Sequence, residues 1–112
     1  MTQPSKGPVS GRRVWQLPPG VQAGTWDYSE APCIAEDYDD YFADHGLLRL
    51  DMEIARRYLT RPGMLVDLGC GTGRALLPWL ADGFTGIGVD LSQRMLEVLQ
   101  RKASQEGRSV LA

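Results

Sequence analysis

At 112 residues the chain has room for one domain at most, and fourteen acidic against twelve basic residues give a formal net charge of −2. This balance provides no single-signed field of the kind that attracts a nucleic-acid backbone, so we expect no nucleic-acid partner. No stretch approaches the roughly 20 consecutive apolar residues that span a bilayer, and residues 1–20 lack the apolar core of a signal peptide. We therefore expect a cytoplasmic protein without a membrane partner.

The N-terminal segment has the composition of a linker. Residues 1–32 hold five of the seven prolines and four glycines, and they show no sustained period of 2 or 3.6. This composition predicts a flexible, extended or disordered arm, to which we assign residues 1–34. Trp15 and Trp26 are its candidate hydrophobic anchors.

The next segment, residues 35–62, is predicted to form two helices that break near His45 and Gly46. We interpret His45 as an exposed residue at this break. Three acids recur every four residues and would share one helix face: Glu36, Asp40 and Asp44. We interpret them as a solvated face and expect no metal site.

An apolar run, Met64 to Leu68, predicts a strand of the doubly buried, parallel type. Asp67 lies near its end, and the glycine-rich loop Gly69-Cys70-Gly71-Thr72-Gly73 follows. A helix is predicted from Gly73 to Ala81, with Pro78 in its first turn and with its N-terminal dipole facing a ligand. Because a disulfide within the loop would obstruct a ligand, we expect Cys33 and Cys70 to be reduced and interpret Cys70 as a small loop-filling residue.

A second strand is predicted from Gly86 to Asp90, and Ser92 is the predicted N-cap of the helix that follows it. That helix should bury Met95, Leu96, Leu99 and Ala103, expose Arg94, Arg101 and Lys102, and end at Gly107. Residues 109–112 could begin a third strand. The order β-α-β-α implies parallel strands with right-handed crossovers, and thus an α/β fold.

The two strand ends therefore bring Asp67, the glycine loop and Asp90 to one edge of the sheet, where they can bracket a cofactor. Other nucleotide-binding motifs fit less well. A dinucleotide fingerprint requires its third glycine at the position of Arg74, and no Gly-Lys-Ser/Thr follows the loop as a P-loop requires. The remaining alternative is a simple turn between a strand and a helix.

The string Asp67-Leu68-Gly69-Cys70-Gly71-Thr72-Gly73, together with Val89-Asp90-Leu91-Ser92, resembles the first two motifs of class I S-adenosylmethionine-dependent methyltransferases. The resemblance runs from Met64 to about Ala112, with a looser likeness back to Tyr38. It implies an α/β, Rossmann-like, doubly wound parallel sheet preceded by helices. It also implies that Asp67 fixes the amino group of S-adenosyl-L-methionine and that Asp90 holds the ribose, with Leu91 near the adenine. The loop residues Gly69, Cys70, Gly71 and Gly73 would lie along the cofactor, and Tyr38 and Tyr41 would be lid residues.

The family's sheet has seven strands, of which two to three are expected here. We therefore expect a partial S-adenosylmethionine-binding domain over residues 35–112, with cap helices in 35–62 and a β-α-β-α core in 63–112, as in a truncated chain or fragment. The methyl acceptor is expected to be a small molecule, and no catalytic base can be named. Two alternatives stay open: a non-catalytic fragment or module that binds a nucleotide-like ligand, and a nicotinamide-binding half-domain, which Arg74 disfavours.

Overall fold

The structure is a computed structural model that describes residues 17–112. The helices and strands follow in chain order as α1 (Ala23–Glu30), α2 (Pro32–Tyr41), α3 (Leu47–Ala55), β1 (Met64–Leu68), α4 (Leu76–Ala81), β2 (Thr85–Val89) and α5 (Gln93–Gln105). Within these residues, no helix has both the length and the apolar character required to cross a bilayer.

The sheet is parallel, as the β-α-β-α order predicts. Strands β1 and β2 pair in a register that runs from Met64 opposite Thr85 to Leu68 opposite Val89. On the other side of β2, the Gly88 N–H donates to the Leu111 carbonyl at 2.8 Å, and a single parallel bridge joins Ile87 to Leu111. The predicted third strand is therefore present as one bridge.

The core lies between one face of this sheet and helices α4 and α5. Leu76, Leu80 and Leu99 are buried there, and Leu99 is fully inaccessible to solvent. The helices approach closely because β2 carries Gly86 and Gly88 on this face. A Cβ atom on Gly86 would lie 2.7 Å from Leu80 Cδ2, so a side chain at this position would displace α4.

The opposite face of the sheet is open, and the prediction that β1 is buried on both faces is wrong for this structure. Met64, Val66 and Leu68 are 57–78% exposed, whereas Leu65 and Asp67, on the helix side, are half-buried. Side chains alternate between the faces of a strand, and no element within residues 17–112 covers the second face.

The prediction of an arm without regular structure is wrong for residues 23–34. Helix α1 occupies part of this segment, and α2 begins at Pro32, a position where proline suits a helix because the first N–H groups need no helical partner. The Ser92 hydroxyl donates to the Ser29 carbonyl at 2.5 Å and ties α1 to the start of α5. Trp26 is a half-buried residue of α1, and Trp15 lies outside the described residues.

Two further predictions at helix ends are confirmed. The break between α2 and α3 spans residues 42–46 and contains an exposed His45. Ser92 caps α5, where its hydroxyl oxygen accepts the Met95 N–H at 3.2 Å.

Helix α5 buries Met95, Leu99 and Ala103 as predicted, whereas Leu96 is only half-buried and Lys102 does not lie on a fully solvated face. Its side chain is 25% exposed and forms an ion pair with Asp39 of α2. Helix α2 covers this part of α5, and the pattern of α5 alone cannot reveal a neighbour that lies some sixty residues earlier.

Candidate cofactor site

Three glycines of the loop adopt a backbone conformation that other residues avoid. Gly69, Gly71 and Gly73 have φ values of +76°, +53° and +81°. A Cβ atom on Gly69 or Gly71 would meet nothing within 4 Å, whereas one on Gly73 would lie 2.2 Å from Leu99 Cδ1. The first two glycines thus expose bare backbone to solvent, and the third allows the loop to pack on α5.

Hydrogen bonds hold the loop against the end of β2. The N–H groups of Gly69 and Cys70 both donate to the Val89 carbonyl, at 2.7 and 3.0 Å, and the Gly73 N–H donates to the Cys70 carbonyl at 2.9 Å. These bonds fix the loop relative to Asp90, the residue that follows Val89.

Asp90 is itself part of this clamp. Its Oδ2 accepts the Gly71 N–H at 2.8 Å, and its Oδ1 accepts the Ser92 N–H at 2.8 Å. Each carboxylate oxygen has a second lone pair and can accept one further hydrogen bond. The half-buried side chain is therefore oriented by the protein and keeps capacity for two donors of a ligand.

The prediction that a helix begins at Gly73, with the positive end of its dipole at the loop, is wrong. Helix α4 begins at Leu76, because the left-handed conformation of Gly73 cannot belong to a right-handed helix. The N–H groups of Gly69, Cys70, Gly71 and Gly73 have partners within the protein. We conclude that the loop offers space beside its backbone rather than a cradle made of these four N–H groups.

Asp67 and Asp90 lie close enough to interact electrostatically. Burial, together with the negative charge of Asp90, raises the pKa of Asp67 above its ordinary value. Two carboxylates on one sheet edge create a negative site, and the attraction of a cation bound there would offset both the desolvation of Asp67 and its repulsion by Asp90.

This electrostatic strain predicts that Asp67→Asn stabilises the free chain. Because the pKa of Asp67 is raised on folding, the folded state binds the proton more tightly than the unfolded state, and stability falls as pH rises from 3.8 through the raised value. The substitution should therefore increase the melting temperature modestly at neutral pH, with a gain that shrinks below pH 3.8. Thermal unfolding across pH, with the exposed Asp51→Asn as control, measures this effect. A destabilised Asp67→Asn at neutral pH would contradict it.

The remaining predicted site residues lie at the same edge. Cys70 is buried, and desolvation followed by the charges of Asp90 and Asp67 raises its pKa to about 11, so the thiol stays protonated and fills the loop as predicted. Cys33 is exposed, and both cysteines are free. Leu91 is 43% exposed directly after Asp90.

A polar network beneath the loop was not anticipated from the sequence. The hydroxyl of the buried Thr72 donates to Asp39 Oδ1 at 2.6 Å, while Lys102 Nζ contacts Asp39 Oδ2 at 2.5 Å and the Thr72 carbonyl at 3.0 Å. Beside it, Arg74 donates to the Phe42 carbonyl at 2.7 Å and lies over the Phe42 ring. These contacts connect the loop to α2, and their only signal in the sequence is the presence of threonine and arginine in the loop.

The three acids predicted to share one helix face do not all lie on one helix, because α2 ends at Tyr41 and Asp44 lies in the break that follows it. Glu36 forms an ion pair with Arg101 at 2.7 Å, and Asp40 and Asp44 are exposed. Across residues 17–112, no group of three or more histidine, cysteine or acidic side chains is arranged to hold a metal ion.

A parallel β-α-β-α unit with a glycine loop between its strands defines a Rossmann-like fold. A family profile described as a methyltransferase domain matches residues 65–111. A protein from Geobacillus sp. (strain WCH70), whose name assigns it provisionally to the methyltransferases, is 43% identical over 42 residues, which are 38% of this chain and 17% of that protein.

Solved structures agree on the fold. The PH0226 protein from Pyrococcus horikoshii OT3 aligns over 76% of this chain and 38% of its own, with 19% identity and a TM-score of 0.56. The bifunctional kinase-methyltransferase WbdD aligns over 66% of this chain and 19% of its own, with 25% identity and a TM-score of 0.50. In each case the aligned part spans less than two fifths of the other protein. Residues 65–111 therefore match a methyltransferase domain, and the fold they adopt is the Rossmann-like fold of class I methyltransferases.

Proposed function

We propose that this chain is the cofactor-binding part of a methyltransferase that uses S-adenosyl-L-methionine and transfers its methyl group to a small-molecule acceptor. The observation that carries the proposal is the pair of carboxylates, Asp67 and Asp90, on either side of a loop whose backbone is open at Gly69 and Gly71. The family match of residues 65–111 and the resemblance to WbdD support it.

The residues of the site fit this cofactor chemically. S-adenosyl-L-methionine carries a positive sulfonium, an amino group and a ribose diol, and the site offers negative charge together with free acceptor lone pairs on Asp90. The side-chain-free backbone at Gly69 and Gly71 would permit close approach. Asp67 would hold the amino group, and Leu91 would lie beside the adenine.

In this mechanism the cofactor supplies an activated methyl group, and the chain's residues supply position. Asp90 would orient the ribose through two charge-assisted hydrogen bonds, and Asp67 would fix the other end of the cofactor, so that the reactive carbon between them is held in one place. Positioning of this kind can account for roughly 7–11 kcal/mol of a barrier. Network contacts from Asp39 and Lys102 to Thr72 would keep the loop rigid while the acceptor approaches.

Calorimetric titration of the chain with S-adenosyl-L-methionine tests the proposal. We expect binding, and we expect Asp90→Ala to weaken it by at least about tenfold to a hundredfold, because each of the two hydrogen bonds that the substitution would remove contributes roughly 1.5–3 kcal/mol. Asp51→Ala, on the exposed surface of α3, is the control and should bind like the unmodified chain.

Two further measurements make this test specific. Thermal unfolding of Asp90→Ala separates loss of the ligand contact from loss of the Gly71 and Ser92 contacts that Asp90 also makes. Titration with a nicotinamide dinucleotide tests the competing half-domain hypothesis. Unchanged affinity in a folded Asp90→Ala, or tighter binding of the dinucleotide, would refute the proposal.

A further inference from the structure

A second concave surface lies beside the candidate cofactor site. A cleft of about 380 Å³ opens along α1 and α2 and is lined mainly by four aromatic rings, together with Cys33, Ile34 and Asp37. The rings belong to Tyr28, Tyr38, Tyr41 and Phe42. Its volume lies within the range of small-molecule sites, and its walls are mostly apolar with few polar groups, which is the usual composition of such sites.

The aromatic rings form a packed wall. The centroids of Tyr38 and Phe42 are 4.8 Å apart in a tilted arrangement, and those of Tyr41 and Phe42 are 4.8 Å apart and edge-on. Phe42 is held from behind by the Arg74 guanidinium, which lies 5.6 Å from its ring centroid. Because Arg74 follows the glycine loop, one side of the cleft is fixed to the candidate cofactor site.

Hydrogen bonds place the other side of the cleft next to Asp90. Ser92 donates its backbone N–H to Asp90 and its hydroxyl to the Ser29 carbonyl, so the residue before Ser29, Tyr28, lies near the end of β2. Burial raises the pKa of Tyr28, and the neighbouring Tyr38 and the charge of Asp90 add to the effect, so the phenol is uncharged at neutral pH.

The charge of the cleft selects its ligand. Asp37 is the one charged side chain in the described lining, which contains no lysine or arginine. Aromatic faces attract cations through their quadrupoles, and a carboxylate at the same surface adds direct attraction. A planar organic ammonium ion satisfies both features, whereas an anion would face Asp37 and the negative edge at Asp90.

We propose that this aromatic cleft binds the methyl acceptor and that the acceptor is a small planar molecule carrying an ammonium group, which Asp37 recognises. The inference rests on the proposed function, because it takes the neighbouring site as the source of the methyl group. Ring stacking against Tyr38 and Phe42 would hold the planar body, and the ammonium group would lie at Asp37.

Three probes of one shape test the charge preference: tryptamine, which is a cation, tryptophol, which is its neutral analogue, and indole-3-propionate, which is an anion. Calorimetry on the chain should give affinities in that order, with tryptamine about fivefold tighter than tryptophol, as expected for one partly exposed ion pair. Asp37→Asn should reduce the difference to the smaller preference that the aromatic faces alone give. Asp40→Asn, an exposed aspartate of the same helix outside the cleft, is the matched control and should preserve it.

Tyr41→Leu tests the ring wall with little risk to folding, because Tyr41 is 82% exposed. It should weaken tryptamine and tryptophol alike. Equal binding of all three probes, equal effects of Asp37→Asn and Asp40→Asn, or no binding of any probe at millimolar concentration would overturn the proposal.

A competition experiment separates this inference from the proposed function. Tryptamine and S-adenosyl-L-methionine should bind together. If tryptamine displaces the cofactor and Asp90→Ala still weakens cofactor binding, the cleft belongs to the cofactor and the acceptor proposal fails while the proposed function stands. If tryptamine binds with the predicted preference but the cofactor does not bind, the proposed function fails, and the assignment of the cleft to a methyl acceptor fails with it.

Discussion

Replacing Gly73 by alanine is expected to lower the free energy of unfolding by about 2–5 kcal/mol. Two costs add at this position. A left-handed backbone costs a residue with a Cβ roughly 1–2 kcal/mol, and over-packing of a core typically costs about 1–3 kcal/mol. Both apply here, because φ is +81° and the new Cβ would lie 2.2 Å from Leu99 Cδ1. Urea unfolding followed by circular dichroism measures the loss.

Gly71→Ala is the matched control. Its φ of +53° carries the backbone cost, but a Cβ there meets nothing within 4 Å, so the expected loss is only about 1–2 kcal/mol. Equal losses for the two variants would show that the contact with Leu99 does not constrain the loop.

Leu99→Ala is expected to cost about 2–5 kcal/mol, the range for removing a fully buried leucine. Leu99 lies against the positions where Gly73 and Gly88 would carry side chains, so it supports both the loop and β2. The cavity should therefore weaken cofactor binding as well as stability. Leu50→Ala, on the exposed face of α3, should change the free energy of unfolding by less than about 1 kcal/mol.

The double variant gives a sharper test of the same packing. Alanine at position 99 removes the atom that obstructs a Cβ on residue 73. The double variant Gly73→Ala/Leu99→Ala should therefore lose less free energy of unfolding than the sum of the two single losses. Strict additivity would contradict the packing described for the loop.

Local chemistry explains what could be predicted from the sequence. The strands, the loop and the Ser92 cap follow from short-range patterns: an apolar run, a glycine triplet and a serine one turn before buried residues. Each pattern restricts the backbone of a few consecutive residues, and β1, β2 and α5 were found where these patterns lie.

Long-range contacts explain which features of the fold could not be predicted from the sequence. Helix α1 has no pronounced apolar stripe, and its position depends on the contact between Ser29 and Ser92, far apart in the chain. The ion pair between Asp39 and Lys102 could not be predicted either, because the sequence gives no sign that charged residues on two separate helices face each other.

The candidate site likewise has features that could be predicted from the sequence and features that could not. Asp67 and Asp90 were placed at one edge because parallel strands end on the same side. That Asp90 would bind the loop itself could not be read from spacing, since it depends on the turn conformations of residues 69–73.

The clamp between the loop and β2 has a consequence for how such a site can vary. The Val89 carbonyl and the Asp90 carboxylate hold three successive amides of the loop, at Gly69, Cys70 and Gly71. The separation between the two halves of the site is thus a property of the strand ends and does not depend on the number of residues in the connecting helix. A longer or shorter crossover would leave that separation intact, so the length of the intervening segment can change while the binding geometry persists, provided that its core residues Leu76 and Leu80 are kept.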